Sequence, residues 1–145
     1  IDVGYIDGHL MFNAEPVFHT PEPTPAVWTH VAFVREAGYG TITLYYNGVN
    51  VTTFDAGAAL TFGPSDLYIG RRAWNDFQYF YGKLAMIRVS GSAMYATAFT
   101  PTTTYGVEES GTKLFLSSDT PLVDTSASAH TITNTGVTQS MDFPT

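Results

Sequence analysis

The chain lacks cysteine and long apolar runs, and each absence excludes a class of protein. Without cysteine, neither a disulfide framework nor thiol chemistry is available. No apolar stretch approaches the roughly 20 residues that span a bilayer, and no signal-peptide pattern is visible, so we expect no membrane insertion. The first residue is Ile1 instead of methionine, which suggests a processed product or part of a longer polypeptide.

Charge is scarce too, above all positive charge. Six Lys and Arg residues stand against thirteen Asp and Glu residues, a net charge of −7, and the largest basic cluster is the pair Arg71-Arg72. A phosphate backbone is recognised through a basic surface, so we expect no nucleic-acid partner. Charged residues form only 13% of the chain, well under the roughly 25% of an average soluble domain. Thr, Ser, Asn and Gly must therefore cover the surface, as in many extracellular, fibrous and virion β-proteins.

What the chain does contain is enough apolar material for one packed domain. It has 145 residues, of which 44% are hydrophobic and 14% aromatic. Short β-type runs alternate with turns, and no helix longer than a turn is predicted. Thr41–Tyr46 alternates most clearly, with Ile42, Leu44 and Tyr46 on one face. Two dipeptides supply the positive φ angles of tight hairpins: Asp7-Gly8 and Asn47-Gly48.

At least nine strands are predicted, and the absence of helices indicates a sandwich or a barrel. Arg71–Gln78 is predicted to be a polar and aromatic loop between strands. The runs with strand character are Ile1–Ile6, His9–Asn13, Trp28–Arg35, Thr41–Tyr46, Val49–Phe54, Leu67–Gly70, Tyr79–Ser90, Tyr95–Thr100, Lys113–Leu116, His130–Asn134 and Val137–Phe143.

Five segments follow one another in the order and spacing of a known family. They are Trp28–Arg35, Leu44–Val49, Leu67–Gly70, Phe80–Ser90, and Tyr95 with Phe99–Pro101. In these segments the chain resembles the concanavalin A-like, laminin-G-type domains that recur in phage tail and other structural virion proteins and in secreted bacterial proteins. The resemblance covers residues 28–101 and implies an all-β fold, a two-sheet antiparallel sandwich of the jelly-roll type.

The residues that carry the resemblance are packing residues. Trp28 is expected to anchor the sandwich, and Phe80, Leu84, Met86 and Ile87 are expected to fill most of its interior. Such residues specify a fold and say little about function.

The ends of the chain depart from the family's order. The family opens with a strand, a short Asp/Ser/Gly turn and a His-Thr-Ile-Thr-like strand, whereas here the similar segments come last: Lys113–Leu116, Asp124-Thr125-Ser126 and His130–Thr133. We interpret residues 1–145 as a single domain with displaced strands in residues 112–145. Three accounts stay open: a circular permutation that fills the first-strand position, the start of a truncated second repeat, or pairing with a neighbouring subunit.

The resemblance also raises the question of catalysis. Related glucanases carry two glutamates and an aspartate on alternate positions of one strand, and retaining hydrolysis needs carboxyl groups about 5–5.5 Å apart. No Glu-x-Asp-x-Glu pattern occurs in this sequence, and serine hydrolase and metalloprotease motifs are absent as well. We therefore expect no catalytic residues and no enzyme activity, with a glycoside hydrolase as the outsider.

The most chemically loaded stretch runs from Arg71 to Tyr79. Its aromatic rings can stack on the apolar face of a sugar, and its Asn, Asp and Arg side chains can hydrogen-bond sugar hydroxyls from a loop on a rigid scaffold. The competing interpretation has Trp74 and Phe77 capping the core while Arg71 pairs with Asp76. The predicted glycan-contacting residues are Arg72, Trp74, Asn75, Asp76, Phe77 and Tyr79.

Metal binding is weakly indicated. Relatives of this fold often hold one calcium ion near a loop end, and the loop carboxylates here are Asp66, Asp76, Asp119 and Asp124. They form no compact ligand run, so we interpret them as solvated turns and predict no metal site and no cofactor, with calcium the one ion kept open. His30 lies in a predicted strand, where a structural hydrogen bond is expected.

Two functional interpretations remain. The first is a non-catalytic structural or adhesion domain of a virion (tail, fibre or capsid decoration) or of an extracellular assembly, able to contact surface glycans. The alternative is a secreted carbohydrate-binding lectin module. The expected partners are other copies of the chain, other virion or fibre subunits, and surface glycans, and the expected location is the virion or the extracellular space.

Overall fold

A computed structural model of the chain describes residues 3–6, 9–12, 24–36, 41–55, 66–72, 75–103, 109–117, 122–140, 142 and 144, with the backbone alone for residues 3–6, 9–12, 72 and 75–78. All regular structure in these ranges is antiparallel β, which confirms the predicted all-β class. None of the described segments forms a helix of the length and apolarity needed to cross a bilayer. The strands are β1 Val3–Ile6, β2 His9–Phe12, β3 Val31–Arg35, β4 Thr41–Tyr46, β5 Val49–Asp55, β6 Arg71–Arg72, β7 Asn75–Tyr79, β8 Ile87–Ser90 and β9 Thr112–Leu116.

The described strands pair in four hydrogen-bonded groups, β1-β2, β3-β4-β5, β6-β7 and β8-β9. The first group is the predicted N-terminal hairpin, in which Ile6 lies opposite His9. The second is the predicted meander, and its strand β4 has the predicted bounds. Antiparallel neighbours in sequence order need only short connections, which is why turn dipeptides locate them well.

The best-packed part of the described chain lies on one face of β4. Ile42 is 2% exposed and Leu44 is fully buried, as their alternation predicts. Burying each of these side chains contributes about 1.5–3 kcal/mol. The partly buried hydrophobic residues that pack against them come from all three strands of the meander: Val31, Phe33, Tyr46, Val51 and Phe54.

The opposite face of β4 is buried as well. Tyr45 is only 2% exposed, and its ring lies 5.5 Å from that of Phe99 and 6.3 Å from that of Tyr95. A register shift occurs at this level, because Leu44 pairs with Thr52 while Tyr45 pairs with Asn50, leaving Val51 as the extra residue of β5. Such a bulge bends the bulged strand and increases its local twist.

The Asn47-Gly48 turn connects β4 to β5 and also holds two other segments. Both residues have positive φ, 49° and 78°, as the hairpin prediction requires. The Asn47 amide donates to the carbonyl of His30 at 2.8 Å, and the amide of His30 donates to Oδ1 of Asn47 at 2.9 Å. The Phe99 amide donates to the carbonyl of Gly48 at 3.0 Å.

Between β5 and β9 the structure differs from several sequence-based predictions. Residues 67–70 and 95–100 form no strand, and the predicted loop Arg71–Gln78 contains β6 and β7. The long predicted strand Tyr79–Ser90 is paired as β8 only in its last four residues. Met86 explains the interruption, because its φ of 51° is incompatible with extended backbone.

The predicted interior is only partly correct. Phe80 and Leu84 are exposed, whereas Met86 and Ile87 are half-buried. Trp28 is half-buried and precedes β3 instead of beginning it. With residue 86 in a left-handed conformation, a regular alternation of faces does not continue across it.

The C-terminal segment begins with a strand that pairs within this chain. β9 lies antiparallel to β8, from Ile87 opposite Leu116 to Ser90 opposite Thr112. Its residues Leu114, Phe115 and Leu116 are buried. The extent of the domain and the origin of residues 112–145 remain predictions. No strand is found in residues 130–140, in contrast to the predicted runs there.

Asp124 joins the chain that follows β9 back to that strand. The side chain is 5% exposed, and its carboxylate accepts backbone N–H bonds from Phe115 (3.0 Å), Ser126 (2.9 Å) and His130 (2.8 Å). Burial raises the pKa of Asp124, but these bonds outweigh burial and hold the pKa well below its usual range. The Ser126 hydroxyl adds a bond to the carbonyl of Lys113 at 3.0 Å.

We predict that Gly48→Ala destabilises the protein far more than Gly136→Ala. Both glycines have φ near 80°, but a Cβ on Gly48 would lie 1.8 Å from the carbonyl oxygen of Phe99, whereas one on Gly136 would meet nothing within 4 Å. Gly136→Ala should therefore cost about 1–2 kcal/mol from backbone strain alone, and Gly48→Ala at least about 3 kcal/mol. Urea unfolding measures both, and equal losses would contradict the close approach of Phe99.

We also predict that Asp124→Ala lowers the free energy of unfolding by about 3 kcal/mol, because three buried N–H donors lose a charged acceptor. Asp66→Ala, at an exposed position, is the control and should change it by less than about 0.5 kcal/mol. Because the folded pKa of Asp124 is lowered from 3.8, its contribution is complete above that pH and is lost as the pH falls below it. Equal stability of the two variants at pH 7 would contradict this role.

Candidate functional site

The predicted glycan-contacting stretch forms the β6-β7 hairpin. Tyr79 lies opposite Arg71 and Asn75 lies opposite Arg72, with a register shift between the two arginines. The backbone of Arg72, Asn75, Asp76 and Phe77 belongs to these strands, while their side chains, like all of Trp74, lie outside the described part of the chain. Of the six predicted residues, Tyr79 is the one whose side chain is placed, and it is 50% exposed.

Exposed aromatic residues cluster in sequence around this hairpin. Tyr68 precedes it and is 40% exposed, while Phe80 and Tyr81 follow it and are 42% and 92% exposed. The amide of Phe80 donates to the carbonyl of Gly70 at 2.7 Å, which ties the two flanks together. Four aromatic rings are thus exposed on the hairpin and its flanks.

Arg71 lies next to two of these residues, Tyr68 through a ring contact and Tyr79 through strand pairing. Its guanidinium carbon lies 4.6 Å from the centre of the Tyr68 ring, within the range of a cation–π contact worth about 0.5–1 kcal/mol at an exposed site. Since Arg71 lies directly opposite Tyr79 in the antiparallel pair, the two side chains are on the same face of the hairpin. Arg71 thus contacts the ring of Tyr68. The alternative interpretation, in which Arg71 pairs with Asp76, concerns a side chain that lies outside the described residues.

This arrangement suits sugar recognition in chemical terms. A pyranose presents a flat C–H face that stacks on an aromatic ring, and hydroxyls that phenol and guanidinium groups can hydrogen-bond. A guanidinium stacked on a ring keeps its N–H donors in its own plane, so the contact with Tyr68 orients the Arg71 group. The hairpin and its flanks, Tyr68, Arg71, Tyr79, Phe80 and Tyr81, are called the aromatic hairpin surface below.

Sequence reasoning identified Tyr79 but missed Tyr68, Phe80 and Tyr81. A signal was present, because Tyr79-Phe80-Tyr81 are consecutive aromatics and extended backbone cannot direct all three to one face. Phe80 is instead assigned to the interior by the sequence, as one of the packing residues that carry the family resemblance. Tyr68 gave no signal of this kind, because its neighbours in sequence, Leu67 and Ile69, are not aromatic.

The carboxylates considered for calcium are not brought together in the described chain. Asp124 accepts bonds from backbone donors, Asp66 is exposed, and the side chains of Asp76 and Asp119 lie outside the described residues. Within those residues no group of three or more His, Asp or Glu side chains could hold a metal ion.

His30 lies in a second aromatic cluster, away from the hairpin in sequence. Its ring is 5.3 Å from that of Phe99 and 6.2 Å from that of Tyr95, both edge-on. Its backbone makes the two hydrogen bonds to Asn47, but Nδ1 of its ring is buried without a hydrogen-bond partner. The predicted structural hydrogen bond is thus formed by the main chain and not by Nδ1.

The comparisons with known proteins identify a family. A laminin-G-type family model, described as the concanavalin A-like lectin/glucanases superfamily, matches residues 5–98, which is more than half of the chain. The chain therefore belongs to this superfamily, and the predicted fold class, an antiparallel sandwich of the concanavalin A-like type, is confirmed. The searches of curated proteins and of solved structures gave no match.

Proposed function

We propose that this concanavalin A-like domain is a non-catalytic carbohydrate-contacting module, displayed on a virion (tail, fibre or capsid decoration) or in another extracellular assembly. Laminin-G-type domains of the superfamily often bind carbohydrates, which supports the ligand class. The assembly context rests on the sequence alone, on its low charge and its resemblance to structural virion proteins.

The observation that carries the proposal is the aromatic hairpin surface. Large aromatic side chains are normally drawn into the core, because burying one contributes about 1.5–3 kcal/mol. Here Tyr79 and Tyr81 are at least half exposed, in the same stretch where Arg71 stacks on Tyr68. An exposed apolar surface next to oriented donors is what a sugar-binding face requires.

The proposal of a non-catalytic role rests on the carboxylates. A superfamily that contains both lectins and glucanases leaves either activity open, so the proposal is argued from the residues of this chain. The sequence has no alternating pair of glutamates with an aspartate. Among the acidic side chains that the structure describes, the most buried, Asp124, is held ionised by backbone donors, so it does not serve as a general acid.

The alternative, a secreted lectin module, shares the same ligand class and differs in what surrounds the domain. The two interpretations are separated by the oligomeric state of the chain and by co-purification with virion or fibre subunits. A monomer that binds glycans on its own favours the secreted module.

We predict that Tyr79→Ala and Tyr81→Ala each weaken glycan binding about two- to tenfold, because one lost stacking contact is worth about 0.5–1.5 kcal/mol. Binding is measured on a glycan array and then by titration calorimetry with the best ligand. Tyr79→Phe keeps the ring and should retain most of the affinity. Val137→Ala, at another exposed apolar position, is the matched control and should have no effect.

A second comparison uses the variant Trp74→Ala. Trp74 belongs to the predicted glycan-contacting residues and lies outside the described part of the chain. Loss of binding in Trp74→Ala and Tyr81→Ala together would place the ligand on the hairpin. If the wild-type chain binds no glycan on the array, or if all three Ala variants at positions 74, 79 and 81 bind as the wild type does, the proposed function is wrong.

A further inference from the structure

Residues 94–101 are attached to the meander mainly through aromatic rings. Tyr95 and Phe99 are stacked with ring centres 3.6 Å apart and planes 7° from parallel. His30 meets both rings edge-on, and Tyr45 packs against them from β4. The segment forms no strand, and the described backbone bond between it and the meander joins Phe99 to Gly48. The attachment therefore depends on how well these rings pack.

His30 is the titratable residue at the centre of this packing. The groups around it are Tyr95 and Phe99 of the attached segment, Asn47 of the turn, and Arg88 of β8. Tyr45 of β4 packs against the same two rings. Among the groups around His30, the charged one is a cation. Arg88 donates through Nη2 to the Tyr95 hydroxyl at 3.0 Å, and its Nη1 lies 3.5 Å from the Glu109 carboxylate, so the described carboxylate of this network is paired with Arg88.

A proton on His30 would therefore be poorly accommodated. Protonation makes both ring nitrogens donors, and Nδ1 is buried with no acceptor. The added charge would also lie near the Arg88 cation. Burial, and to a lesser extent Arg88, lower the pKa of His30 below 6.5. Attraction between an imidazolium and the neighbouring rings, about 0.5–1 kcal/mol, opposes these effects without removing the missing acceptor.

We propose that His30 is a proton-sensitive latch: neutral, it holds residues 94–101 against the Asn47-Gly48 turn, and protonated in mildly acidic solution, it releases them. The unfolded or released chain takes up the proton more readily than the latched one. The free energy that holds residues 94–101 in place is then at its full value above about pH 6.5, and it decreases as the pH falls below that value. Release would uncover Tyr45 and Phe99, and it would free Tyr95 from Arg88.

The test compares the full chain with His30→Gln and His130→Gln between pH 7.5 and pH 5.5. Protection of the Phe99 amide, which bonds to Gly48, is followed by hydrogen exchange corrected for the intrinsic effect of pH. The wild type should lose protection by up to about tenfold per pH unit below pH 6.5, the limit for uptake of one proton. His30→Gln should show no such slope. His130→Gln, at an exposed histidine, should keep the wild-type slope.

Several results would overturn the latch. They are a wild-type protection factor that does not change with pH, a slope that persists in His30→Gln, or a slope that disappears in His130→Gln. If His30→Gln does not fold, an NMR titration of His30 in the wild type decides, because a pKa at or above 6.5 contradicts the proposal. Glycan binding is measured separately at pH 7.5, so failure of the latch and failure of the proposed function remain distinguishable.

Discussion

The close contact between the Phe99 carbonyl and Gly48 is the constraint on which much of the described structure depends. A turn that lacked a glycine there would have to move away from residues 94–101, since even one methyl group would collide with the Phe99 backbone. The same turn is bonded to His30 through Asn47. One tight hairpin thereby fixes the position of two other segments, and Tyr45 is buried against the rings of residues 94–101.

Residues 94–101 and the C-terminal segment are each held against the rest of the chain, but by different interactions. Within the described residues, ring packing and the backbone bond from Phe99 to Gly48 hold residues 94–101, so their attachment is sensitive to a change of charge among the rings. The C-terminal segment is held by strand pairing and by a carboxylate that accepts three backbone bonds. Asp124 stays ionised until strongly acidic pH, whereas a buried neutral imidazole begins to lose its advantage near neutrality. Mild acid should therefore separate the two attachments.

Local rules located the meander well. Alternation in Thr41–Tyr46 and the Asn47-Gly48 turn gave the bounds of β4, its buried face and its hairpin, because antiparallel neighbours are joined by short-range chemistry. Residues 79–90 were harder, since a single left-handed residue, Met86, breaks the alternation and cannot be recognised from its side chain. Tyr79 could be selected from the sequence, but the stacking of Arg71 on Tyr68 depends on side-chain conformation, and the docking of Phe99 on Gly48 depends on a contact distant in sequence.

The same failure of alternation bears on function. Had residues 79–90 formed one continuous strand, Phe80 and Leu84 would have faced the core, and fewer apolar groups would remain for a ligand. Instead the chain leaves Tyr79, Phe80 and Tyr81 exposed beside Arg71, giving up burial energy of about 1.5–3 kcal/mol for each large ring. A domain with few charged groups gains no solubility from such exposure. Recognition of a ligand with a flat apolar face, as in the proposed function, is a physical reason for keeping these rings at the surface.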